Sequence, residues 1–490
     1  MDPIWRPLWG ETASLSDPLP TAADVVVIGA GIAGCTTALE LRRAGMDVLL
    51  IEARQAGAGT TGRTTAKVTA GHALIYTKIY NLHGLEAAHQ YADAQREALA
   101  YFERHNRFHS MIQPVTHHVF TDDQIDPLMQ ELEITRSIGL TTEISEQPDL
   151  PGAVAALSYP NQFQIDPKQW LGYLLEEYRA LGGQYVTGVR VREVDDGEPV
   201  RLQIDNGEIT AREVVVATHF PISHQALGAP RLSTNSALVV AGPSTLNVPD
   251  TWINIEDSLS VRSATDADGT VLVISGEPYR SGTIDVPAAY HRLSEVAQSR
   301  FGVTELRYYW SAHDLYAGDH LPYIGLQLPT SDHVRVASGF GSWGMTNGTF
   351  AGLMLTKVLT GGHHPNEDLF DPRRIGFVPP ASQTLRESGE AIKHLIGERI
   401  SHALASTSPE ELSPGQGCIV REGTQFIAMS KDSEGTLHRV SAACTHLGCI
   451  VSWNQGDQTW DCPCHGSRFS AGGEVIEGPA TFDLSPITDD

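Results

Sequence analysis

The stretch from Val25 to Glu52 confines the fold more tightly than any other part of the chain. An apolar run from Val25 to Ile28 meets Gly29, Gly31 and Gly34 in a G-x-G-x-x-G turn, a helical pattern runs on to Ala44, and Leu49 to Ile51 lead into Glu52. Strand, glycine turn, helix, strand and acid at these offsets predict the opening βαβ unit of a parallel sheet. The tight turn brings backbone N–H groups to a pyrophosphate at the helix N-terminus, and the acid accepts from a ribose 2′-hydroxyl. A dinucleotide is therefore expected on Gly29, Gly31, Gly34 and Glu52. FAD is favoured over NAD because the next segment, A-R-Q-A-G-A-G-T-T-G-R-T-T-A-K, is again rich in glycine and hydroxyls and can wrap an extended cofactor; Gly62, Arg63, Thr64 and Thr65 lie in it. A late segment, G-F-G-S-W-G-M-T-N-G-T-F-A-G at 339–352, sets glycines ahead of a helix and offers Gly341, Trp343, Gly344, Met345 and Thr346 to the flavin. Its plain alternative is a glycine-rich loop capping a core helix.

Two loops near the C-terminus, C-T-H-L-G-C at 444–449 and C-P-C-H-G-S at 462–467, each offer a cysteine and a histidine to iron. That pattern marks a Rieske 2Fe-2S cluster, with Cys444 and Cys462 on one iron and His446 and His465 on the other. Two thiolates and two neutral imidazoles carry less negative charge than four thiolates, so an added electron is accepted more readily. Zinc would accept the same four ligands. The two further loop cysteines and the H-G-S ending have no role in such a site. The loops resemble those of Rieske proteins in respiratory and photosynthetic cytochrome bc complexes. That resemblance implies a loop-to-loop disulfide between Cys449 and Cys464, a Ser467 hydroxyl bonded to a cluster sulfur, and a covering proline loop at Gly478-Pro479-Ala480. Phe469 departs from the pattern, which has a tyrosine there. With one hydrogen bond to sulfur fewer, a lower reduction potential is expected.

About the first 375 residues resemble the D-amino acid oxidase and glycine or sarcosine oxidase superfamily of flavoproteins, and the whole chain is similar to a bacterial subgroup that fuses this module to a Rieske domain. Gly29, Gly31, Gly34 and Glu52 match the superfamily's FAD fingerprint. G-R-T-T-A-K at 62–67 resembles the pyrophosphate loop, D-H-L-P-Y-I-G at 319–325 the flavin-side loop, and G-S-W-G-M-T-N-G the C-terminal flavin loop; Val191 aligns with the strand residue whose backbone meets the adenine. The resemblance implies an α/β, Rossmann-like FAD-binding module of the D-amino acid oxidase (DAO) type with a β-sheet substrate lobe, plus a small all-β Rieske domain. The expected divisions are 1–375 for the oxidoreductase module, 376–409 for a linker helix and 410–490 for the Rieske domain. Proline-rich F-D-P-R-R-I-G-F-V-P-P-A-S at 370–382 and the turn S-P-G-Q-G at 413–417 mark the breaks. Within the module, Val214 to Ala217 reads as a buried parallel strand, 230–310 as a β-rich roof over the flavin, and 85–140 as mostly helical.

A length of 490 residues with 41% hydrophobic content is enough for two unequal globular parts. The balance of 34 basic against 59 acidic residues, a net charge of -25, repels phosphate backbones and anionic lipid, which argues against a nucleic-acid partner. No apolar run approaches the roughly 20 residues that span a bilayer, and M-D-P-I-W-R-P-L-W-G lacks the features of a signal peptide. A cytoplasmic location is expected, although reducing compartments disfavour disulfides. Cys35 and Cys418 are expected to remain free thiols.

Candidates in the substrate lobe follow from position alone. Arg262, in the roofing sheet, could pair a substrate carboxylate in a bidentate fork. His313 and Tyr323 flank the flavin-side loop and could orient the substrate or adjust its protonation. A structural role is the alternative for all three, and Trp343 and Met345 are expected to pack against the flavin or fill the core. His105 and His109, four apart on a helical pattern with Glu103 nearby, invite a mononuclear iron site; a solvated helix face is preferred. The expected activity is FAD-dependent dehydrogenation of a small amine or amino acid by hydride transfer, with electrons relayed singly through the cluster to an external acceptor, a carrier protein or quinone. The alternatives are an oxygen-using oxidase with a structural or sensing Rieske domain, and an electron-transfer or redox-sensor protein without an organic substrate.

Overall fold

The computed structural model of the chain describes residues 18–106, 111–222, 231–374 and 412–487. The expected linker helix and His109 lie outside the described residues. Strand β1 (Ala22–Ile28), helix α1 (Ile32–Arg43) and strand β2 (Val48–Glu52) form the βαβ unit read from the sequence. β1 lies between β2 and the strand Gly207–Val216, and Val334–Ser338 and Gln184–Thr187 extend the same parallel sheet on either side. Both faces of this sheet are covered, which is why its strands read as unbroken Val, Ile and Leu runs rather than alternating patterns. Two glycines of the turn are required by contact. A Cβ on Gly29, at φ +101°, would stand 2.6 Å from the Ala217 carbonyl oxygen, and one on Gly34 would stand 1.8 Å from the Gly29 carbonyl oxygen. α1 can therefore press directly on the turn that it leaves.

A second, nine-stranded sheet roofs the first, in the order Tyr308–Ala317, Leu232–Gly242, Gly269–Tyr279, Ser260–Asp266, Thr251–Asn254, Ile112–Thr121, Ala155–Ile165 and Lys67–Val68, with Glu143–Ser145 paired to Ala155–Ile165. The segment 85–140 is only partly helical. Helices Leu85–Asn106 and Asp126–Ser137 flank the strand Ile112–Thr121, which sits inside the roof. Its valine, phenylalanine and threonine residues favour a pleated, half-buried surface, and pairing to Ala155–Ile165 satisfies its backbone.

The C-terminal domain has two small antiparallel sheets. Gly417–Glu422, Gln425–Lys431 and Leu437–Ser441 form one; Ser452–Asn454, Thr459–Asp461, Arg468–Phe469 and Val475–Glu477 form the other. The second sheet faces the roof. A Cβ on Gly456 would stand 2.4 Å from Val286, and one on Gly466 would stand 2.6 Å from His313 Nε2, so backbone of the small domain lies flush on side chains of the large one. Arg190 Nη2 also donates to the Val475 carbonyl at 2.9 Å.

Candidate active site and iron–sulfur centre

A cavity of about 510 Å³ opens between the two large sheets and runs from Glu52 to Trp343. At one end Glu52 is fixed by two backbone donors, Ala30 N–H to Oε2 at 2.9 Å and Arg54 N–H to Oε1 at 2.8 Å. Each carboxylate oxygen keeps a lone pair for a hydroxyl. Val191 and Arg190 line the wall here. The N-terminus of α1 follows, its Ile32 N–H donating to Thr61 Oγ1 at 3.1 Å. Gly29, Gly31, Thr64 and Thr65 line the cavity, whereas Gly62 and Arg63 shape the loop from behind. A Cβ on Gly62 would stand 2.0 Å from the Gly57 carbonyl oxygen, and the Arg63 carbonyl accepts from Trp310 Nε1 at 2.8 Å. The glycine cradle, the helix N-terminus and the poised acid fit an FAD pyrophosphate and sugar.

The far end is formed by Gly341, Trp343, Gly344 and Met345. Thr346 stands just behind, donating to the Thr69 carbonyl at 3.3 Å. Trp343 stacks on His72 with ring centroids 4.5 Å apart. His72 Nε2 lies 2.7 Å from the Thr69 carbonyl, which can only accept, so Nδ1 is the acceptor for the Tyr91 hydroxyl at 2.7 Å. Burial lowers the His72 pKa to about 3, and the ring is neutral.

Lys67 also lines this end, donating to Thr65 Oγ1 at 3.0 Å and to Ser260 Oγ. Burial, with Arg262 nearby, lowers its pKa from 10.5 to about 7. The unfolded chain keeps that proton to higher pH than the folded chain does. Between about pH 7 and 10.5 stability should therefore rise with pH, by up to about 1.4 kcal/mol per unit. Lys67→Met removes the penalty. Its melting temperature at pH 7 is expected to exceed the parent's, and its stability profile across that window to be flatter; an unchanged slope in thermal melts would contradict the assignment.

The three residues expected to act in catalysis are placed otherwise. Arg262 is 3% exposed and spends Nη1 on the carbonyls of Thr65, Ala66 and Ile165 at 2.7, 2.9 and 3.1 Å, and Nε on that of Ser263. It clamps the cofactor loop to the roof and does not line the cavity, which corrects the carboxylate-binding role. Tyr323 is held between the guanidinium groups of Arg231 and Arg374, 4.7 and 4.3 Å from its ring, also off the cavity. His313 lies behind the cavity wall, against the small domain. Lys67 and His72, which do face the cavity, follow directly in the G-R-T-T-A-K-V-T-A-G-H run, where the lysine is the only cation after Arg63. His105 Nδ1 lies 2.7 Å from the Tyr101 carbonyl and its half-buried ring packs against Trp170.

In the small domain the two ligand loops meet. Cys449 and Cys464 are joined by a disulfide, so neither is free to bind metal. Cys444 and Cys462 lie in contact; a hydrogen bond from Cys462 pulls the Cys444 pKa down to about 6, while the same coupling pushes Cys462 up. The His446 and His465 rings stand edge to face with centroids 5.0 Å apart. His465 Nδ1 is buried without a hydrogen-bond partner among the described residues. Two paired thiols and, on the same two loops, a pair of imidazoles with one buried nitrogen left without a partner fit a cluster held by Cys444, Cys462, His446 and His465. The Ser467 hydroxyl hydrogen-bonds Cys444 and accepts from Ala480 N–H at 3.0 Å. Phe469 is fully buried and offers no hydroxyl.

Between the domains, Arg468 is buried among acids of its own domain. Nη2 reaches Asp457 Oδ2 at 2.6 Å, Nε reaches Asp461 Oδ1 at 3.2 Å, and Nη1 donates to Ser311 Oγ of the roof at 3.1 Å. Ser311 in turn donates to Asp457 Oδ2 at 2.6 Å. Ile476, Glu477, Gly478, Ala480 and Thr481 of the small domain form part of the cavity wall itself.

Residues 24–358 match the FAD dependent oxidoreductase (DAO) family, and residues 403–487 the Rieske [2Fe-2S] domain. The chain belongs to the DAO family of FAD-dependent oxidoreductases. This DAO-family enzyme carries a C-terminal Rieske domain, and its cofactors are FAD and a 2Fe-2S cluster. It is 33% identical over 478 residues to the protein YhfW of Bacillus subtilis, covering 95% of this chain and 94% of that one. The Rieske part alone is similar to the cytochrome b6-f complex iron-sulfur subunit of Synechococcus elongatus, 34% identical over 113 residues, or 23% of this chain and 61% of that one. In fold, the oxidoreductase module is similar to L-proline dehydrogenase from P. horikoshii (TM-score 0.60, 17% identity, 73% of this chain and 98% of that one). It is also similar to L-amino acid deaminase from Proteus vulgaris (TM-score 0.61, 16% identity, 74% of this chain and 100% of that one). Among the described residues, no helix is long and apolar enough to cross a membrane.

Proposed function

We propose that this oxidoreductase is a dehydrogenase of a small amine or amino acid, and that it passes the electrons one at a time through the Rieske centre to an external carrier protein or quinone. The shared wall carries this reading. The same segment that lines the FAD cavity, Gly478 to Ala480, hydrogen-bonds Ser467 beside the ligand Cys444. Phe220 lines the cavity too, with its ring centroid 6.5 Å from that of His446. Bound FAD takes two electrons with a hydride from the carbon next to nitrogen and the cluster takes one, so the pair turns hydride chemistry into single-electron output.

The residues at the Trp343 end suit an amine. Lys67, titrating near neutrality, can accept the ammonium proton of an incoming amine and then face a substrate carboxylate as a cation. Neutral His72, fixed by Thr69 and Tyr91, holds Trp343 over the site without adding charge. Structural neighbours named for proline and amino-acid chemistry support the same substrate class. A panel of amines and amino acids turned over in air with a one-electron acceptor tests the proposal. Peroxide is expected to account for a small fraction of the substrate oxidised; a stoichiometric yield would contradict it and favour an oxidase.

A further inference from the structure

We propose that Glu477, a residue of the Rieske domain, is a binding residue for FAD, its unpaired carboxylate oxygen accepting a hydrogen bond from a sugar hydroxyl of the cofactor. Glu477 is 9% exposed and lines the cavity. Its Oε2 faces His313 Nδ1 at 3.2 Å and Arg468 Nη1 at 3.8 Å. Among the described residues, neither carboxylate oxygen has a hydrogen-bond partner; His313 Nδ1 is close to Oε2 but outside hydrogen-bond geometry, and Oε1 faces no cation within ion-pair distance. A buried carboxylate oxygen without a donor is costly, and such groups in folded proteins nearly always have a partner. The side chain is ionised: burial works against the charge, but His313 and Arg468 outweigh it and hold the pKa well below the usual carboxylate range. It can therefore only accept.

The parts of a dinucleotide able to answer it are few. The pyrophosphate is anionic and accepts, so it is repelled. Sugar hydroxyls donate without charge. Arg54, which lines the cavity next to Glu52, interacts electrostatically with both Glu477 and Glu52, so Glu477 stands within reach of the part of the site where Glu52 meets the sugar. Glu52 from the large domain and Glu477 from the small one then both serve the cofactor. Part of the FAD site is supplied by the Rieske domain, and the docking of that domain and the retention of FAD become linked equilibria.

The test uses the full-length, cluster-loaded protein and measures FAD dissociation by the rise in free-flavin fluorescence, with the Rieske EPR signal as the check on the small domain. Glu477→Ala is expected to weaken FAD binding about 10- to 100-fold, the range for loss of a hydrogen bond to a charged group. Glu477→Gln keeps an acceptor oxygen of the same shape and is expected to lose only a few-fold, with the EPR signal intact. If Glu477→Ala does not accumulate in folded form, Glu477→Gln decides alone: a few-fold faster release supports the proposal and parental release overturns it. Equal weakening in both variants would also overturn it, because Glu477 would then act only as a counter-charge to Arg468.

Discussion

Cys462→Ser is expected to abolish the Rieske EPR signal and the reduction of a one-electron acceptor, while leaving FAD bound and still bleached by substrate. Cys462 is buried at the junction of the two ligand loops, in contact with Cys444. A serine hydroxyl is a hard ligand that stays protonated near neutrality and cannot replace a thiolate on iron. The core of the oxidoreductase module does not include it, being built from β1, α1, β2 and their neighbours. The disulfide between Cys449 and Cys464 remains to hold the emptied loops. EPR together with stopped-flow absorbance reads both parts. Acceptor reduction at the parental rate without the cluster signal would mean that the flavin reaches the acceptor directly.

Arg468→Leu is expected to destabilise the Rieske domain by about 3–5 kcal/mol, the cost of leaving buried charges without their partner. The substitution strips Asp457, Asp461 and Glu477 of one shared cation and frees Ser311 of the roof from its Arg468 contact. Since Arg468 sits at the boundary, both the small domain and its seat on the cavity should loosen. Urea unfolding followed by the visible absorption of the cluster should show a much lower midpoint than the parent. A shift within about 0.5 kcal/mol, the size of an ordinary surface substitution, would mean that these acids find other partners.

The cofactor sites were legible because their chemistry forces residue type and spacing together. Gly29 and Gly34 must be glycine where a Cβ would meet a carbonyl, Glu52 must end β2, and the iron ligands must come as two Cys-x-His and Cys-x-x-His loops. The roof over residues 230–310 was legible from β-rich runs such as W-I-N-I-E and V-L-V-I-S. The strand Ile112–Thr121 was not, because it lies between two helices in sequence and gains its place only by pairing with Ala155–Ile165. The substrate end was the least legible part. Arg262, His313 and Tyr323 carry suitable side chains, yet tertiary contacts spend the first on carbonyls, turn the second toward the Rieske domain and stack the third between two arginines. Lys67 is ordinary in sequence and becomes unusual only when burial strips its ammonium of water. Neither Asp457 nor Asp461 stands out in the sequence, and their enclosure by Arg468 and Ser311 arises only in the folded chain.

Whether electrons leave the flavin through the Rieske centre is decided by an anaerobic titration. Purified, cluster-loaded protein is titrated with amines and amino acids while flavin absorbance and the EPR signal of the reduced cluster are recorded together. One class of compound is expected to bleach the flavin, and the Rieske signal then to rise from the same electrons. A flavin that bleaches while the cluster stays oxidised would contradict the relay. If no compound bleaches it while a chemical reductant fills both centres, the substrate assignment fails and an electron-carrier role takes its place.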